Sequence, residues 1–172
     1  MKNRHKLKSG QIGDKGVSLI EMIIVIAIIA IASSVTISLF GQLSFARTQK
    51  AAKTINISLD KLRMETMSKG ISYKMYLYLT EGDLYMKILK DGDAITLTKE
   101  NGEKLSADCQ VRYKRDGIGE EILEEGVGKN IAISFSKSSG AFTSNYEWVS
   151  ISNIKHNSKL QFIKETGKHW IE

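Results

Sequence analysis

From Val17 to Phe40 the chain reads VSLIEMIIVIAIIAIASSVTISLF, 24 residues in which Glu21 is the only charge. As a helix this run would be about 36 Å long, more than a hydrocarbon core of roughly 30 Å. Fourteen of its residues are Ile, Leu, Val or Phe, and each favours insertion by about 0.3–0.6 kcal/mol. One carboxylate near the end, costing about 3 kcal/mol, does not overturn that sum. The run is therefore expected to insert in a membrane. Past Phe40 polar residues return, but proline, which would interrupt a helix, is absent from the whole chain. Ala52, Ile55, Leu59 and Leu62 recur at spacings of three and four among Arg, Lys, Gln and Asp, which gives one apolar stripe. The pattern predicts one helix from about Val17 to Lys69, apolar over 17–40 and amphipathic over 41–69, with Gly70 as its stop.

Beyond Gly70 the period shortens to two. Ile71, Tyr73, Met75, Leu77 and Leu79 alternate with Ser72, Lys74, Tyr76 and Tyr78, which reads as a strand. Further strands are predicted over Leu84–Lys90, Ala94–Thr98, Cys109–Arg115, Asn130–Ser136, Glu147–Asn153 and Lys159–Glu165. Turn signals stand at Glu81-Gly82-Asp83, Asp91-Gly92-Asp93, Asn101-Gly102, Ser139-Gly140 and Thr166-Gly167. Residues 70–172 should thus form an antiparallel sheet domain whose apolar face takes the helix stripe as cover, an α+β build.

The bulk properties sharpen this picture at two points. A length of 172 residues suits one ordinary domain plus an extended segment. The net charge of +6 is concentrated at the start, where Lys2, Arg4, Lys6, Lys8 and Lys15 stand against Asp14 alone. After Gly16 the excess is only +2, from 20 basic and 18 acidic residues, so the basicity marks a leader and is weak ground for nucleic-acid binding. Cys109 is the single cysteine, which excludes an intramolecular disulfide and a cysteine zinc cluster.

The residues Lys15-Gly16-Val17-Ser18-Leu19-Ile20-Glu21 stand directly before the apolar run. In order and spacing this segment resembles the prepilins and pseudopilins of type IV pili, type II secretion and competence systems. Their precursors carry a short basic leader ending in glycine, then an apolar residue, a hydroxyl residue, Leu-Ile and a glutamate ahead of the span. The resemblance covers residues 1 to about 69. It implies that a prepilin peptidase and methyltransferase removes residues 1–16 by cutting after Gly16 and methylates the amine of Val17. It also implies that Glu21 pairs with the terminal amine of a neighbouring subunit. The expected product is a pilin-like structural subunit of a filament, partnered by other pilin or pseudopilin subunits and by membrane lipid. Its expected place is the cytoplasmic membrane, leader inside and C-terminal domain outside, and then the pilus or pseudopilus.

Two plainer readings compete. Residues 1–32 would form a secretory signal peptide if Ala30-Ile31-Ala32 were its cleavage site, though Glu21 inside the apolar region argues against it. The run could also be a permanent anchor for an extracytoplasmic binding module. Arg47, Lys50 and Lys53 blur the positive-inside signal, so orientation rests on the resemblance. Two departures from major pilins, no proline near the end of the span and no C-terminal cysteine pair, suit a minor pilin or pseudopilin. Ile131-Ala132-Ile133-Ser134-Phe135 followed by Gly140, and Thr166-Gly167 before a short closing strand, resemble the final hairpins of H-type pseudopilins and fimbrial minor pilins.

No enzyme chemistry is expected. Ser134 and Lys137 match Ser-x-x-Lys, but they end a predicted strand instead of opening a helix. Asp91-Gly92-Asp93 opens like a calcium loop, yet no later glutamate falls in register, and a hairpin turn explains it. His5, His156 and His169 lack acidic neighbours at ligand spacing, so no metal or cofactor is implied. Trp148 and Trp170 read as core or edge packing. Lys74, Tyr76, Tyr78, Tyr85 and Lys87 could share one strand face of the kind that stacks nucleic acid. With so little net charge, direct nucleic-acid binding is not expected, and the face is expected to serve packing against the helix stripe or between subunits.

Overall fold

The structure, a computed structural model, describes residues 18–153 and 156–172, and the side chains at 34–44 fall outside that description. The basic leader, Gly16 and Val17 therefore lie outside the described residues. The chain divides into two units with a boundary between Leu39 and Phe40. Helix α1 (Leu19–Lys69) has 51 residues. It ends where the pattern predicts, because Gly70 takes φ +62, the left-handed conformation that closes a helix at little steric cost.

In the first unit every large apolar side chain from Leu19 to Ile31 is exposed, from 46% at Val25 to 80% at Leu19. Among the described residues no helical stretch is long and apolar enough to cross a membrane.

The second unit is built on the predicted stripe. Thr48, Ala51, Ala52, Ile55, Leu59, Leu62 and Thr66 are all buried at 1% exposure or less. The five apolar ones, Ala51 to Leu62, join one core with residues from two antiparallel sheets. The first sheet has the order β3-β2-β1-β6, from β1 (Tyr73–Thr80), β2 (Asp83–Lys90), β3 (Glu103–Ser106) and β6 (Ile131–Ser134). The second has the order β5-β4-β7-β8-β9, from β4 (Gln110–Arg115), β5 (Glu120–Ile122), β7 (Tyr146–Asn153), β8 (His156–Ile163) and β9 (Lys168–Ile171). Burying about a dozen Ile, Leu, Val and Met side chains at roughly 1.5–3 kcal/mol each is the main stabilising term of such a domain. The expected α+β build, helix on antiparallel sheet, is the one observed.

The β1–β2 hairpin turns through Glu81 (φ 55) and Gly82 (φ 76), with Thr80 opposite Asp83, the two-residue arrangement that matches strand twist. The Glu125 carboxylate accepts from the amides of Glu81 (2.6 Å) and Gly82 (3.3 Å). A residue 43 to 44 positions away thus satisfies two donors that the tight turn leaves open.

One predicted strand is absent. Residues 94–98 form no ladder and instead run over the outer face of the first sheet, where Leu97 packs on Tyr76, Tyr78 and Tyr85. The Tyr78 hydroxyl donates to the Thr98 carbonyl at 2.8 Å, and the Tyr78 and Tyr85 rings stack at 5.9 Å. The apolar residues that look like strand are a cover, so β1 is buried on both faces: Met75 and Leu77 in the main core, Tyr76 and Tyr78 under the loop.

The two sheets meet at Phe142. Its main chain bridges Phe135 at the end of β6 and its amide donates to Lys164 beyond β8 at 2.9 Å. Its ring lies 4.5 Å from Phe135 and 5.2 Å from Phe162.

Candidate functional site

The helix start sets the geometry around Glu21. Ser18 precedes the first helical residue, and its carbonyl accepts the first helical bond from the Met22 amide at 3.2 Å. Glu21 then falls in the first turn, where unpaired amides and the helix dipole favour a carboxylate. Ser18-x-x-Glu21 also has the spacing of a capping box, a local use for both side chains. Glu21 is exposed among the equally exposed Ile20, Met22, Ile24 and Val25. An acidic group thus sits at the start of a helix surface that is apolar all round, and such a surface is stable only when lipid or other helices cover it.

Elsewhere the fold disposes of the other candidates. The cationic aromatic face does not exist as an open platform. Its tyrosines are covered, Lys74 pairs with Asp91 at 2.8 Å, and Lys87 donates to the Thr96 carbonyl at 2.9 Å. The Asp91 carboxylate raises the Lys74 pKa through a hydrogen bond, and Lys74 in turn lowers that of Asp91. These tyrosines serve neither the helix stripe nor a free surface, because the chain's own loop occupies them. Ser134 shares a 2.6 Å hydrogen bond with the Thr143 hydroxyl, and Asp93 caps its own turn through the Lys90 amide at 3.2 Å. Among the described residues no group of three or more His, Cys, Asp or Glu is placed to hold a metal. Burial raises the Cys109 thiol pKa, which works against thiolate chemistry.

Two arrangements were hidden from sequence reasoning. His169 is buried to 2% side-chain exposure and stands 3.3 Å from Asp60, a helix residue remote in sequence. Trp148 and Trp170 face outward from the second sheet, with Trp170 46% exposed. They are not core residues, because register pairs both with Gln161 on the outer side. Strand alternation could have revealed that face, had β9 been delimited.

Residues 13–37 match the family described as the prokaryotic N-terminal methylation motif. That stretch takes in Gly16, Val17 and Glu21 and runs along the exposed apolar helix. No curated protein and no solved structure gives a match. The chain therefore carries a prokaryotic N-terminal methylation motif of the prepilin type at residues 13–37, followed by an α+β domain of pilin-like build.

Proposed function

We propose that this protein is a minor pilin or pseudopilin, a non-enzymatic structural subunit of a type IV pilus-like filament of the pilus, secretion or competence kind. The observation that carries the reading is the methylation motif at residues 13–37, in register with a helix whose apolar side chains are all exposed up to Ile31. On this reading the precursor sits in the cytoplasmic membrane through residues 17–40, with leader inside and the sheet domain outside. Prepilin peptidase cuts after Gly16, Val17 is N-methylated, and the freed helix enters the filament core.

Glu21 gives assembly its selectivity. A carboxylate in an apolar environment is costly unless paired, and the Val17 amine of a staggered neighbour supplies the partner. At ~4 Å and an effective dielectric near 20, Coulomb attraction gives about 4 kcal/mol before desolvation is counted. Only the assembled state satisfies both charges. The deciding experiment is the intact mass of the mature protein. A chain beginning at methylated Val17 is expected; an uncleaved chain, or one beginning at Ser33, would defeat the reading in favour of a permanent anchor or a signal peptide.

A further inference from the structure

The outer face of the second sheet carries chemistry that neither packing nor the methylation motif uses. Alternation turns Val111, Val149, Ile151 and Leu160 into the core and leaves Arg112, Trp148, Lys159, Gln161 and Trp170 on the outer side, with Ser150 among them but covered to 5% exposure. Trp148 stands opposite Gln161, and Gln161 opposite Trp170. The two tryptophans therefore share one rung of the sheet, with their main-chain positions two strand spacings apart, about 10 Å. Beside Trp148, over β4 and β7, runs an open groove of about 520 Å³, along which the Ser150 hydroxyl donates to the Asn157 side-chain oxygen. Three ion pairs stand on this face, and the exposed Lys168, two residues before Trp170, adds a further cation. Arg112 lies 3.3 Å from Glu120, Lys114 2.7 Å from Glu147, and Lys159 3.8 Å from Glu172. An anionic polymer would find a single cation here beyond those held in ion pairs, too few for the multiple phosphate contacts it needs. A neutral ligand would find amides, hydroxyls and paired ions for its polar rim, and two indoles for its apolar faces.

We propose that this face binds a neutral, extended β-1,4-linked glycan, with a pyranose ring stacked on each of Trp148 and Trp170. The axial C–H bonds of a pyranose form an apolar face that lies flat on indole, while its equatorial hydroxyls point outward to hydrogen-bonding groups. In a β-1,4 chain successive rings are turned by half a revolution. Like faces therefore recur at every second ring, a repeat that matches two strand spacings; an α-1,4 chain curves away from a flat sheet. The Lys159 ammonium stands 4.8 Å over the Trp148 ring, and Glu172 is its second partner. Lys159 swings toward Glu172 as the sugar arrives.

Trp148 and Trp170 are the only two tryptophans of the chain, so indole emission reports on this face alone. The full chain, held in a detergent without a sugar headgroup, is titrated with cellotetraose, chitotetraose, maltotetraose and a thymidine oligonucleotide. Saturable change with cellotetraose or chitotetraose is expected, weakened roughly tenfold or more in Trp170→Ala and retained or tightened in Lys159→Ala. The proposal is overturned if neither β-linked sugar produces saturation, if maltotetraose binds equally well, or if Trp170→Ala binds like the parent. Oligonucleotide binding that is lost in Lys159→Ala would overturn it in favour of an anionic ligand.

Discussion

The Nε2 atom of His169 lies 3.2 Å from the main-chain oxygen of Asn56, joining the closing strand to the helix across a sequence separation of 113. Its Nδ1 lies 3.2 Å from the Gly167 oxygen, and its ring stands 5.9 Å from that of Phe142. One side chain thus ties the helix, the last hairpin and the aromatic seam. His169→Ala removes a buried ring together with its hydrogen bonds, and a loss of about 2 kcal/mol is expected. Denaturant unfolding checks this, and His169→Gln should recover part of the loss.

Gly167 tests how closely that hairpin approaches its neighbour. A Cβ there would stand 1.9 Å from the Gly140 oxygen, while a Cβ on Gly70 meets nothing within 4 Å, although the two share nearly the same φ, +66 and +62. Gly70→Ala should therefore cost only the conformational strain, about 1 kcal/mol, and Gly167→Ala clearly more, about 3 kcal/mol or above. Equal unfolding midpoints for the two variants would show that the backbone gives way at Gly140.

Acid should loosen the tie between β4 and β5. The Arg115 guanidinium, with its Nε 3.1 Å from the carboxylate, and then the Tyr113 hydroxyl lower the Glu121 pKa. The unfolded chain holds the proton more tightly, so this contribution is complete above the ordinary glutamate range and is lost as pH falls through the depressed folded value. The pair is half-exposed to solvent, which screens it, so its effect is small. Glu121→Gln should flatten the acid limb of the stability profile and change little at neutral pH, as thermal unfolding across a pH series will show.

At the N-terminus, Glu21→Val makes the apolar run more apolar and removes the charge that neighbours would neutralise. Membrane insertion is expected to persist while incorporation into filaments falls at least tenfold, on the ~4 kcal/mol scale of the lost attraction. Fractionation of sheared filaments against membranes checks it. A bulky residue at Gly16 should leave the precursor uncut and hold it in the membrane.

The helix and its buried face were legible because a stripe at spacings of three and four records a two-sided environment. Ala52, Ile55, Leu59 and Leu62 are all buried. Short strands leave no such record. Glu103–Ser106 and Glu120–Ile122 have 4 and 3 residues, too few for alternation to show, and both sit at sheet edges. The run 94–98 misleads for the opposite reason, since a loop that covers tyrosines needs apolar residues as much as a strand does. Gly16, Val17 and Glu21 stand in the sequence only as a spacing, and on the proposed function what they act on is another molecule. The Trp148 and Trp170 face depends on register between strands, which no single stretch of sequence contains.

Phe142 gives the domain a mechanical character. Within each sheet, force passes through ladders of main-chain hydrogen bonds, and the short segment at Phe142 adds a main-chain hydrogen-bonded link between the sheets to the covalent connections from β3 to β4 and from β5 to β6. Side chains that share a core with the helix couple the sheets as well. Side-chain contacts yield gradually, whereas a hydrogen-bonded bridge breaks at a point. Tension that pulls the sheets apart therefore loads this aromatic seam together with the three-residue connection at 107–109, and of the two only the seam can part without breaking the chain.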